Sequence, residues 1–196
     1  MRIQYALLCF STFFAIAGFC ADALAQDFSR SKKLKQLSET NVTAFIEKTS
    51  ALNSHQNLDR DNKQIADYLD RHIDKKARFR SNMVFIMPGL PEQQKTLTLA
   101  KEDYIDQVQT GAAEIEHYYS EIDISNVDLS KNKKTASVNT VMSESGIMEV
   151  IDETGSSESI PFEGQSECFQ VLKLSKKGYI QMYSANCNTT MTFLEN

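Results

Sequence analysis

Three histidines, His55, His72 and His117, are the side chains best suited to proton transfer near neutral pH. Only His72 falls on an apolar helical stripe, shared with Ile65, Tyr68, Leu69 and Ile73. A buried imidazole beside Tyr68 and Tyr104 could shuttle a proton. The same position also suits a core histidine bonded to a backbone carbonyl, because no partner carboxylate is placed by spacing. His55 reads as a loop residue and His117 as a strand start. The three lack ligand spacing of the His-Glu-x-x-His kind, so no metal is expected. Asp59-Arg60-Asp61-Asn62-Lys63 has the look of a calcium loop without its turn glycine or terminal glutamate. Asp61 reads better as a helix cap, with Gln64 three residues on. There is no Gly-x-Ser-x-Gly elbow and no glycine loop for phosphate, so no cofactor is expected.

The N-terminus bears on compartment. Arg2 precedes an apolar run from Tyr5 to Phe19, and Ala23-Leu24-Ala25 stands before Gln26. A charged start, an apolar stretch and an A-x-A site are the marks of a secretory signal peptide, cleaved between Ala25 and Gln26. The run is shorter than the roughly twenty residues a spanning helix needs, so no stable membrane span is expected after cleavage. Cys20 as a lipid-modified residue is the other reading, opposed by the bulk of Phe19 before it. The expected product is exported, periplasmic or secreted.

Cleavage removes one base and one acid, so the net charge of −5 is unchanged. An acidic chain with scattered lysines offers no footprint for nucleic acid. The cluster Arg30, Lys32, Lys33 and Lys35 reads as a solvated lead-in. Cys9 and Cys20 leave with the leader, whereas Cys168 and Cys187 remain as an even pair in an oxidising space.

These residues are positioned by a simple element order. Residues 26–38 form a polar lead-in, and 39–196 read as one domain. One helix runs from about Glu39 to Leu52. A second carries the His72 stripe and ends at Asp74-Lys75-Lys76. Alternation then marks a strand over 77–87, stopped by Pro88-Gly89 and Pro91. A third helix resumes near Lys101, with Tyr104, Ile105, Val108, Ala112 and Ile115 on its buried side. From His117 onward the chain reads as strands over 117–129, 135–144, 146–153, 163–175 and 179–193. Consecutive strands joined by short turns make an antiparallel meander.

Lys177-Gly178 fits a two-residue hairpin loop. Pairing outward from it joins Lys176 to Tyr179, Leu174 to Gln181, Leu172 to Tyr183, Gln170 to Ala185 and finally Cys168 to Cys187. In that register the cysteines form a hydrogen-bonded pair about 5.5 Å apart, within disulfide reach. Two free thiols, or a register slipped by one or two residues, are the alternatives.

Several passages carry a family resemblance. They are Tyr68-Leu69-Asp70-Arg71-His72-Ile73-Asp74 running into Ala77-Arg78-Phe79, the run Leu99-Ala100-Lys101-Glu102-Asp103-Tyr104-Ile105, and the strand Tyr118–Val127 turned at Lys131–Lys134 into Thr135-Ala136-Ser137-Val138. With the element order, they resemble the nuclear transport factor 2-like (SnoaL-like) superfamily over roughly residues 40–193. Ala100 stands where secreted members carry a helix cap, and Thr98 is the alternative cap.

The resemblance implies an α+β fold: a curved antiparallel sheet of about five to six strands on about three N-terminal helices, a cystatin-like/NTF2-like cone. His72 would lie near the cone's opening, with Tyr68, Tyr104 and Phe85 as further pocket candidates. The family includes isomerases, dehydratases, ligand binders and assembly modules. Its isomerases use a tyrosine and two carboxylates, and no position here matches that trio by motif. The expectation is therefore an exported, non-enzymatic module, homodimeric, binding a small apolar ligand or a protein partner. The alternatives are a proton-transfer isomerase or dehydratase using His72, and a structural subunit of an envelope or secretion assembly.

Overall fold

The computed structural model describes residues 33–52, 62–110, 115–151 and 157–195. The leader with Ala25 and Gln26, His55 and Asp59–Asp61 lie outside the described residues. Three helices and six strands follow in the order α1 (Glu39–Ser50), α2 (Asn62–His72), β1 (Ile73–Ile86), β2 (Gln93–Leu99), α3 (Lys101–Thr110), β3 (Ile115–Leu129), β4 (Thr135–Ile151), β5 (Ser157–Leu174) and β6 (Ile180–Phe193).

α1 begins where Ser38 caps it. The Ser38 hydroxyl accepts from the Asn41 backbone, and the Asn41 side chain accepts from the Ser38 backbone. Two orphan donors are thereby satisfied at once. Its apolar face buries Val42, Phe45, Ile46 and Thr49. α3 starts differently from either cap reading: Thr98 is inside β2 opposite Arg80, and the Asp103 carboxylate accepts from the Ala100 backbone instead. The Lys101 ammonium then reaches back to Asp70, to its carbonyl at 2.6 Å and its carboxylate at 2.7 Å, fixing α3 to the end of α2.

The sheet order is β2-β1-β6-β5-β4-β3. β3 to β6 form the expected meander, but β1 lies parallel to β6, so the sheet is mixed rather than wholly antiparallel. Several boundaries also differ from the sequence reading: the strands expected over 135–144 and 146–153 are one continuous strand, β4, because the alternation carries through Gly146, and β5 begins at Ser157 rather than 163 so as to pair along β4's whole length. β1 starts at Ile73 directly after α2, with a register irregularity between Ile73 and Arg78 that takes up Asp74-Lys75-Lys76. Ile115 opens β3 rather than extending α3. β2 is an additional edge strand whose polar composition, Gln93-Gln94-Lys95-Thr96, hides its half-exposed alternation.

The β5–β6 hairpin reaches the expected cysteine pairing by another route. The loop has three residues, Lys176-Lys177-Gly178, closed by Ser175 and Tyr179, with Gly178 at φ +85°. This sets Leu174 opposite Ile180 and Leu172 opposite Met182. A bulge at Tyr183 then restores Gln170 to Ala185 and Cys168 to Cys187. The disulfide is formed, with Cα atoms 4.1 Å apart. That spacing belongs to a non-hydrogen-bonded pair, since the longer loop and the bulge swap the ladder's parity.

One sheet face is buried. Its residues divide into two clusters. The first lies against the helices and includes Phe45, Ile46, Leu69, Phe79, Tyr104 and Leu172. The second comes from strands, among them Met83, Phe85, Phe162, Met191 and Phe193.

Candidate functional site

Between the two clusters the buried face turns polar. Strand pairing lays out successive rows across the sheet. One row holds Thr140, Cys168, Cys187 and Ser81; the next holds Met142, Ser166, Thr189 and Met83; the next Ser120, Glu144, Gly164, Met191 and Phe85. Ser166 and Thr189 share a hydrogen bond of 2.8 Å, and Thr189 lies 3.3 Å from the Ser81 hydroxyl. The Gln170 amide donates to Thr140 at 3.1 Å, leaving its own carbonyl unpartnered.

Glu144 is the chemically distinct member. It is 4% exposed. The Tyr118 hydroxyl donates to its Oε2 at 2.8 Å, whereas its buried Oε1 has no hydrogen-bond partner. Burial raises its pKa to about 7, against a smaller lowering by the Tyr118 hydrogen bond. Tyr118 is pushed well above the usual phenol value, first by burial and then by the neighbouring carboxylate. Opposite Glu144 sits Gly164. A Cβ there would come within 2.8 Å of Oε1 and 2.6 Å of the Glu144 Cγ, so only glycine leaves the carboxyl this position. A carboxyl with these properties exchanges between hydrogen-bond donor and charged acceptor near neutral pH.

The residues singled out by sequence fall apart into two places. Tyr68 and His72 meet, with ring centroids 4.4 Å apart, and Phe45 packs on the same imidazole at 5.5 Å. His72 Nδ1 is 2.6 Å from the Ile180 carbonyl. A carbonyl only accepts, so Nδ1 carries the proton. Burial lowers the His72 pKa to about 4, outweighing the raising effect of that carbonyl. Burial raises Tyr68 to about 12, and its hydroxyl lies 3.5 Å from Thr49. Tyr104 stacks on Phe79 at 4.3 Å within the first cluster, and Phe85 belongs to the second. His117 is an exposed residue at a β3 irregularity, with φ 52°.

Glu144 was within reach of the sequence. Ala136, Val138, Thr140 and Met142 define the buried face of β4, and the next residue in that alternation is Glu144. Tyr118 was not, because the irregularity between Glu116 and Tyr119 decides which face it takes. Among the described residues no group of three or more His, Cys, Asp or Glu side chains could hold a metal ion. No described helix is long and apolar enough to cross a membrane.

No family model matches the chain, and no curated protein matches it. Solved structures do. An NTF2-like protein of unknown function from Pseudomonas aeruginosa is 11% identical, covering 79% of this chain and 98% of its own, with a TM-score of 0.46. A conserved protein from Planctomyces limnophilus is 12% identical over 79% and 99%, with a TM-score of 0.44. A ketosteroid isomerase-like protein from Erwinia carotovora is 13% identical over 79% and 94%, with a TM-score of 0.35. At these identities the likeness is one of fold.

Proposed function

We propose that this α+β, NTF2-like chain is an exported module that binds a small, largely apolar molecule against the strand-built cluster, with Glu144 and Tyr118 holding its one polar group. The observation that carries the reading is the orphaned Glu144 Oε1: a buried carboxyl oxygen with no hydrogen-bond partner, in a row that runs on through Gly164 to Met191 and Phe85. A buried polar atom left unsatisfied costs about 1–3 kcal/mol, which a ligand donor or acceptor would recover. The leader sequence and the formed Cys168–Cys187 bond support export.

A second reading is favoured by one observation, the Glu144 pKa near 7. That value suits a general acid or base at neutral pH, so the proton-transfer alternative rests better on Glu144 than on His72. His72 is neutral at that pH, and its Nδ1 proton is committed to Ile180.

One titration separates these readings. Prodan, an apolar fluorescent ketone, should bind the wild-type protein below pH 7, where protonated Glu144 can donate to its carbonyl. At pH 6.5, above the range where loss of the carboxyl costs stability, Glu144→Met should weaken binding about ten-fold or more without lowering the melting temperature. Equal binding by both proteins overturns the site. Deuterium exchange into the α-position of the bound ketone, lost in Glu144→Gln, would establish the proton-transfer reading; binding without exchange would leave the binding module.

A further inference from the structure

The lysines scattered in sequence are gathered by the fold at one end of the sheet. The β3–β4 turn, Ser130-Lys131-Asn132-Lys133-Lys134-Thr135, and the β5–β6 turn, Ser175-Lys176-Lys177-Gly178-Tyr179, contain no carboxylate. The lead-in, Lys33-Leu34-Lys35-Gln36-Leu37, runs across both. Leu34 donates its backbone N–H to the Gly178 carbonyl at 2.8 Å, and Leu37 donates to the Lys133 carbonyl at 2.8 Å. The Lys134 ammonium donates to the Lys35 carbonyl at 2.6 Å. Gly178 is required for this crossing, because a Cβ there would lie 2.9 Å from the Leu34 carbonyl oxygen.

Seven lysines on these three segments are exposed, and none is ion-paired with a carboxylate among the described residues. They are a third of the chain's 21 basic residues, gathered at one end of a molecule whose net charge is −5. Between the segments lies an open cleft of about 550 Å³. Lys35, Lys134 and Lys176 line it together with Leu34 and Leu174. Cationic heads over aliphatic walls suit a phosphate headgroup with its glycerol and first methylenes. Stacking of nucleic-acid bases needs aromatic platforms, which the cleft lining lacks.

Exposed positive charge gathered around an aliphatic-walled cleft points this end of the molecule at an anionic bilayer. We propose that the basic end formed by the lead-in and the two lysine turns docks on a membrane surface rich in anionic phospholipid, with one headgroup seated in the Leu34–Leu174 cleft. Each lysine brought near such a surface contributes separately to binding, and added salt weakens all of them.

The test uses the chain as purified from its producing cells and vesicles of two compositions. It should sediment with phosphatidylcholine vesicles containing about 30% phosphatidylglycerol at least ~30-fold more tightly than with phosphatidylcholine alone. The combined variant Lys35→Gln, Lys131→Gln, Lys176→Gln and Lys177→Gln should lose that difference at an unchanged melting temperature. Should the variant fold poorly, the wild-type difference must still collapse at about 0.5 M salt. Equal binding to both vesicle types, a difference insensitive to salt, or a well-folded variant that binds as wild type overturns the proposal. So does capture of a single-stranded oligonucleotide at least as tight as capture of the anionic vesicles.

Discussion

His72 is held by more than apolar contact. Its imidazole satisfies the Ile180 carbonyl and lies against the rings of Phe45 and Tyr68. Replacing it with alanine would leave that carbonyl unpaired and open a void between the rings. His72→Ala should therefore lower unfolding stability by about 3 kcal/mol in urea titrations at pH 8. His72→Gln, which can keep a donor to Ile180, should lose markedly less. A small loss for alanine, with activity on a ketone abolished, would instead give the imidazole a chemical role. The position of His72 on an apolar stripe was legible from spacing alone, because a helix repeats its face every three to four residues. Its partner was not, since Ile180 is 108 residues away and no local rule links them. Glu144 shows the opposite situation: strand alternation put it on the buried face. Its chemical character, however, depends on Gly164 and Tyr118, which only register and a β3 irregularity bring alongside.

At the scale of elements, the β5–β6 hairpin explains why a pairing can be correct when its route is not. A two-residue loop and a three-residue loop differ by one step of register, and one bulge at Tyr183 removes the difference before the chain reaches Cys168 and Cys187. Turn chemistry was visible in Lys177-Gly178, but the bulge had no sequence mark. β2 went unread because an edge strand with one face half exposed needs little hydrophobic content. The parallel contact of β1 with β6 was equally hidden, as it joins strands about a hundred residues apart. The disulfide closes a segment of sequence separation 19. Reduction with dithiothreitol, or the pair Cys168→Ser and Cys187→Ser, should lower stability by about 3 kcal/mol through restored freedom of the unfolded chain. Unchanged urea midpoints in oxidised and reduced protein would mean that the bulged hairpin alone sets the register.

For the whole molecule, two buried groups oppose each other across acid pH. Glu144 is raised from 4.5 in the open chain to about 7 in the fold, so the folded state holds a proton that the unfolded state releases. Its contribution to stability is fully present below pH 4.5 and is lost as pH rises through 7. His72 is lowered from 6.5 to about 4, so the unfolded state takes up a proton that the folded state refuses. Its contribution is fully present above pH 6.5 and is lost as pH falls through 4. Over pH 4.5 to 6.5 the two slopes have opposite sign and nearly cancel. These two groups together therefore add almost no pH dependence of melting in that window, and single variants should expose what each conceals. Glu144→Gln should become steadily less stable from pH 6.5 down to 4, by about 3 kcal/mol. His72→Gln should lose a similar amount as pH rises from 4.5 to 7, and the double variant should be flat again. Melting curves at half-unit pH intervals would read this directly. A Glu144→Gln profile that parallels the wild type would place the buried carboxyl's proton elsewhere, and with it the donor that the ligand site needs.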